Sequence, residues 1–185
     1  MSEDVQAMCD AYDALVADAI ALVGPLDDAR ANAQPGGGTR WSVAQNLDHL
    51  TRANAAYLDA LRPALDRARR AGRLRRGPLA PGAPGRWFLG ALEPPPRMRV
   101  RAPRSIQPAS TFTAAGALDA FCASVVSARE LLLASADLDL NGTRFQNPFV
   151  PLVQVRASTG FLILAAHGRR HLWQARQALA QSHTG

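Results

Sequence analysis

Residues 41–50 read WSVAQNLDHL, and they open a long helix. Ser42-x-x-Gln45 fits a capping box, in which each side chain satisfies the other residue's backbone N–H at the helix start. From there Leu47, Leu50, Asn54, Leu58, Leu61 and Leu65 recur at helical spacing and form one stripe. The neighbouring stripe is Gln45, His49, Ala53, Ala56 and Ala60. Its residues are small or polar, so it leaves room around His49. Pro63 predicts a kink or an interruption, because proline lacks the N–H that a helix interior requires. Gly72 predicts the end.

Outward from this element the same period recurs. Met8, Tyr12, Leu15, Ala19 and Leu22 predict a helix over Glu3 to Val23, stopped by Gly24-Pro25. The Pro35-Gly36-Gly37-Gly38 run lacks the Lys-Ser/Thr of a phosphate loop and reads as a turn. Thr113 caps a helix to about Ser135, with Leu118, Phe121, Cys122, Val125, Leu132 and Leu133 predicted inward. Asn141-Gly142, Asn147-Pro148 and Pro151 predict an irregular stretch. A last helix follows over about Val155 to Ala180.

Between the second and third long helices, residues 72–110 hold eight of the thirteen prolines. Within them Gly85 to Leu92 predicts a short helix ended by Pro94-Pro95-Pro96, and Met98 to Ser105 predicts extended chain. A long connection in a compact domain usually means a lid, a binding loop or disorder. Here Arg86-Trp87-Phe88-Leu89 is too apolar for disorder. Trp87 and Phe88 are expected to insert at the mouth of the bundle, with most of the arginines exposed. The fold class is therefore all-α, a four-helix bundle with a long Pro/Arg-rich connection, in one domain over residues 1–185.

Composition bounds the function. Alanine supplies 36 of 185 residues, which favours helix. No apolar run reaches the roughly 18 residues of a membrane span, and the acidic start MSEDVQAMCD lacks a signal-peptide core. Cys9 and Cys122 are too few for a disulfide framework. Together these point to a cytoplasmic protein with reduced thiols. All 21 basic residues are arginine, and twelve of them fall in residues 62–104 against Asp66 and Glu93. Such a segment attracts nucleic acid or another anion, or is simply a solvated helix end and loop.

The chain has four histidines. His167 and His171 stand four apart on the last helix, a spacing that returns nearly to one face, and His49 lies on another helix. Three imidazoles from two helices can hold one divalent ion with a coordination position left over. Zinc or nickel suits such a set. His183 sits in the polar tail and is a bystander. Gln174 lies one turn beyond His171, and with Gln45 it is a candidate to orient ligands from behind. Tyr57, Trp87, Phe88 and Trp173 could line an apolar pocket over the metal, or could be ordinary core. Arg86 and Arg97 are candidates for an anionic substrate. Asp48 adjoins His49 but points about 100° away on the helix.

The order Trp41-Ser42, His49-Leu50, GRWFLGALEPPP in the middle, then His167-x3-His171-Leu172-Trp173-Gln174 resembles the DinB/YfiT-like family. The resemblance covers the whole chain and implies a four-helix bundle with a divalent metal on the three histidines. It also implies a place among proteins some of which transfer groups to or from small thiols. One departure matters. The residue after the first histidine of the last helix is often acidic in that family, and here it is Gly168. The segment Asn147 to Val153 is also only loosely similar.

The functional expectation is a metal-dependent enzyme acting on a small molecule, open between a hydrolase and a thiol-dependent transferase using a low-molecular-weight thiol. A homodimer is expected. The alternatives are a non-catalytic dimeric bundle serving ligand binding or stress response, and nucleic-acid binding through residues 62–104. No helix-turn-helix or interleaved aromatic platform supports the latter.

Overall fold

The computed structural model describes residues 1–95 and 102–182. The extended stretch expected at Met98 to Ser105, the candidate Arg97 and the tail histidine His183 thus lie wholly or partly outside the described residues. The elements in order are α1 (Glu3–Val23), α2 (Asp28–Asn32), α3 (Val43–Arg70), α4 (Gly82–Leu92), a 3-10 turn at Arg104–Ile106, α5 (Ala114–Ala134), β1 (Arg144–Gln146), β2 (Gln154–Arg156) and α6 (Ala157–Gln181).

The four long helices pack in a ring. α1 and α3 each lie against both α5 and α6. Each contributes the face its sequence dictates. α1 buries Val5, Met8, Cys9, Tyr12, Leu15, Ala19 and Val23. The Tyr12 hydroxyl donates to the Phe161 carbonyl of α6 at 2.8 Å, so the phenol is buried without an unmet donor. Burial raises its pKa well above the usual tyrosine range. α6 is buried almost all round, because α1, α3 and the short α4 cover it. Among the described residues no helix is long and apolar enough to cross a membrane.

α3 starts as read. Gln45 N–H donates to Ser42 Oγ at 3.2 Å, and Ser42 N–H donates to Gln45 Oε1 at 3.0 Å. Pro63 does not interrupt it; the helix runs through to Arg70. Pro63 and Asp59, whose carbonyl loses its partner, are both exposed, so water can satisfy that carbonyl. On α5 the inward stripe is Ala114, Ala117, Phe121, Val125, Ala128 and Leu132. Leu133 lies 100° beyond Leu132 and is exposed, contrary to expectation.

The stretch expected to be irregular holds a two-stranded antiparallel hairpin with Phe145 opposite Val155. Three-residue strands are too short to announce themselves. What fixes this one is tertiary: Phe145 is buried and lies against Gly160, where a Cβ would come within 2.8 Å of its ring. Asn147 closes the turn, its Oδ1 accepting from the amides of Phe149 and Val150 at 2.8 and 3.0 Å.

Much of the long connection is pinned by side chains. Asp4 of α1 accepts from the Leu79 amide at 2.6 Å and from Arg75 at 2.5 Å. Burial alone would raise the Asp4 carboxyl, but these donors outweigh it and hold its pKa at about 2. Asn141 Oδ1 accepts from the Ala80 amide, and Thr159 Oγ1 donates to the Pro81 carbonyl. α4 then lies on α6, held by the Arg169–Glu93 ion pair and by Arg170 donating to the Ala91 carbonyl at 3.2 Å. The expected insertion of its aromatic pair does not occur. Trp87 is 69% exposed and Phe88 39%. Leu89 and Leu92 are the residues α4 turns onto the core.

Candidate metal centre

His49 lies in the second turn of α3, close behind the capping box. His167 and His171 lie one turn apart on α6, the helix that packs along α3. The three side chains converge, each offering a ligand atom with all three atoms within 4.8 Å of one another. The Nε2 atoms of His49 and His167 are 3.3 Å apart. That separation suits one N–H donating to the other ring, or both lone pairs turned to one shared cation.

Hydrogen bonds behind two of the rings decide which nitrogen faces inward. His49 Nδ1 is 2.7 Å from the Ile106 carbonyl, which can only accept, so this nitrogen carries the proton. His171 Nδ1 is 2.9 Å from Asn46 Oδ1. The amide of Asn46 is itself oriented, since its Nδ2 donates to the Ser42 carbonyl at 2.8 Å. Asn46 therefore presents an acceptor, and His171 Nδ1 is also protonated. Both rings are left with Nε2 as the lone-pair atom, the arrangement that fixes metal-ligating imidazoles in place.

The electrostatics agree. Burial lowers the pKa of all three histidines, and His167 falls to about 3, with its neighbours His49 and Arg170 adding repulsion. They are neutral near pH 7, the protonation state a metal requires. In a tetrahedral site with bonds of about 2.0–2.1 Å, ligand nitrogens sit about 3.3–3.4 Å apart, close to the His49–His167 separation. The donor set thus fits a divalent ion.

Two contributors went unread in the sequence. Trp41 packs its indole over His171 at 5.9 Å and His49 at 4.8 Å between ring centroids, walling the cluster. The signal was a large aromatic just ahead of a helix cap. Asn46 was the other, a poor helix former placed one turn before His49. The connection between α4 and α5 is the third partner. Besides the Ile106 carbonyl, its Ala109 accepts from Gln45 Nε2 and donates to Asp48 Oδ2, both at 3.2 Å.

The remaining candidates are placed elsewhere. Gln45 is occupied by the cap, by Gln34 and by Ala109, so its role is to hold the helix start. Asp48 serves Arg52 at 2.7 Å and the Ala109 amide. Tyr57 is eight residues along α3 from His49, about 12 Å. It packs edge-on with Phe145 and Phe149, and burial pushes its pKa up to about 12. Trp87 and Phe88 are turned to solvent. Gln174 is half-buried and its side chain makes no hydrogen bond among the described residues. Trp173 is half-buried as well, and exposed Arg86 makes no ion pair there. Gly168 faces α1: a Cβ there would meet Leu15 at 2.7 Å. A carboxylate at this position would point into the α1–α6 packing.

A sequence profile of the DinB superfamily matches residues 11–175. The chain belongs to this superfamily, a family of metal-binding helical proteins. Neither the curated proteins nor the solved structures offer a match.

Proposed function

We propose that the protein is a metal-dependent enzyme acting on a small molecule, with a divalent cation, zinc or nickel, held by His49, His167 and His171. The observation that carries this is the pair of Nδ1 anchors, at Ile106 and Asn46, which leave the Nε2 lone pairs of His49 and His171 for the shared space. When bound, such an ion supplies Lewis acidity to a substrate heteroatom. The chain's own residues would keep the rings neutral and aimed, and Trp41 would shield one side from water.

Of the two reaction classes, thiol-dependent group transfer fits better than hydrolysis. No carboxylate joins the cluster among the described residues, Asp48 is engaged, and Gly168 offers no side chain. A water and a thiol alike have their pKa lowered at a divalent ion, but a thiol, which ionises near pH 8.5 unaided, needs the smaller shift and no general base. A low-molecular-weight thiol is therefore the proposed co-substrate, and a homodimer the proposed assembly.

The test starts with elemental analysis of protein purified without a histidine tag, beside His49→Ala. About one equivalent of divalent metal is expected in the first and little in the second. Thiol consumption is then followed against a panel of small electrophiles. Metal without turnover would favour a second reading, a non-catalytic module with a structural metal. The depth of burial supports that reading: His49 is 2% exposed and His171 7%.

A further inference from the structure

At the other end of α3, 22 residues and about 33 Å from His49, two clefts adjoin and share Ala71 and Arg73. The smaller, about 240 Å³, is lined by Arg67, Arg73 and Arg144, with Thr143 and three alanines, and no acid. The larger, about 590 Å³, adds Arg75, Arg76 and Asp139. We infer that this end of the bundle binds a small polyphosphorylated molecule, held by Arg67, Arg73 and Arg144.

Three observations carry this. The first is convergence: Arg67 comes from α3, Arg73 from the chain just beyond it, and Arg144 from β1. A helix C-terminus favours cations on its own, and that accounts for Arg67, Arg69 and Arg70. It does not account for Arg73 and Arg144, which lie outside the helix and line the same cleft.

The second is that these guanidiniums are uncommitted. Arg69 is paired with Asp137 and Arg75 with Asp4, but Arg67, Arg73, Arg76 and Arg144 make no ion pair among the described residues. The Asp139 carboxylate is occupied by the Gly142 amide at 2.9 Å.

The third is rigidity. Gly72, at φ +62°, stops α3. Arg73 is then locked by a bridge to the end of α5: the Asp139 amide donates to the Arg73 carbonyl and the Arg75 amide to the Asp137 carbonyl, both at 2.9 Å. The arginines are thus presented by fixed backbone.

Guanidinium forks match phosphate oxygens in pairs, so three of them suit more than one phosphoryl group. The smaller cleft, about 240 Å³, lies just below the size range of small-molecule sites, roughly 300–1,000 Å³, and opens through Ala71 and Arg73 onto the larger one, which lies within it. Neither cleft is lined by an aromatic residue, and single-stranded nucleic acid needs such a stacking surface.

The experiment is calorimetric titration of chelator-treated protein with inorganic triphosphate, beside a 20-residue-scale duplex DNA (about 20 base pairs, two helical turns). Saturable one-to-one binding of triphosphate is expected. Arg73→Gln/Arg144→Gln should weaken it by about tenfold or more, since each lost charge-assisted contact is a sizeable fraction of the affinity. The charge-matched Arg86→Gln/Arg104→Gln should change it by less than about twofold, because neither residue lines either cleft and exposed charges outside it are screened. Arg67→Gln on the exposed side of α3 gives a second reading should the double variant fold poorly. Absence of saturation, or equal loss in the charge-matched pair, would overturn the inference. So would duplex binding that triphosphate cannot displace, which would assign the surface to nucleic acid.

Discussion

At one end of α3, His49 is buried among two further imidazoles and is neutral; at the other, Arg67 and Arg73 are exposed and charged. Both ends gather nitrogen-rich side chains; the kind of side chain decides what the nitrogens offer, and burial reinforces it at the histidine end. Out of water an imidazole sheds its proton and presents a lone pair, which suits a cation. In water a guanidinium keeps all its N–H groups, which suits an anion. The same helix therefore carries two ends of opposite electrostatic character, set first by the choice of imidazole or guanidinium and sharpened by how deeply each end is packed.

The sharpest way to break this comparison is to load the histidine end. At a hundredfold excess over Kd, zinc or nickel should stabilise the fold by about 2.7 kcal/mol, or about 5–10 °C in Tm for a chain of this size. His167→Ala or His171→Ala should abolish the rise, and His183→Ala should leave it intact. No rise with either metal at pH 7.5 would reduce the cluster to packing. The arginine-end variant Arg73→Gln/Arg144→Gln should show the full rise.

Next comes Asn46→Ala, which removes the acceptor behind His171. Loss of such a partner typically costs 10–100-fold in metal affinity, to be read by competition with a chromogenic chelator. Affinity unchanged within about twofold would mean that ring packing alone aims His171.

Acid offers a third probe. The folded pKa values of the histidines lie below the unfolded value of about 6.5, so the unfolded chain takes up protons that the folded chain refuses. Stability is then full above pH 6.5 and falls as pH drops below it, by about 1.4 kcal/mol per pH unit for each excluded proton. Denaturant midpoints between pH 7.5 and 5 check this for the metal-free protein. His49→Gln should flatten the slope, whereas Arg73→Gln should not.

Between the two ends, Gly160→Ala should destabilise by about 1–3 kcal/mol, because its Cβ would press on the Phe145 ring. Gly168→Ala meets only the flexible tip of Leu15 and gains about 1 kcal/mol in helix propensity, so its net effect in thermal melts should be smaller. The smallest expected effect is Trp87→Ala, within about 0.5 kcal/mol, because the residue is largely exposed.

Where packing and local chemistry agreed, the sequence was legible. The Ser42/Gln45 box, the α1 stripe and the Thr113 cap each state their position within a few residues. The shared face of His167 and His171 could also be read from their four-residue spacing, and the room around His49 from its small neighbours, while the joining of the three was what the family resemblance implied. Other features depend on contacts far along the chain. The hairpin exists because Phe145 meets Gly160, and nothing local to Arg144–Gln146 requires a strand. Trp87 and Phe88 read as core by composition alone, yet the rotation of α4 is set by Leu89, Leu92 and the Arg169–Glu93 pair. The acceptor behind His49 is a backbone carbonyl 57 residues away, and a carbonyl has no signature in a sequence.

That carbonyl ties the histidine cluster to the connection between α4 and α5. Three hydrogen bonds from the stretch Ile106–Ala109 fasten it to the first turns of α3, and one of them ends on His49 itself. Any free energy by which the fastened stretch improves cation binding is returned, by reciprocity, as a tighter hold of the cation on that stretch. Cation occupancy and local order are then two readings of one equilibrium, and slowed hydrogen exchange at the Ala109 amide would report the cation without observing it.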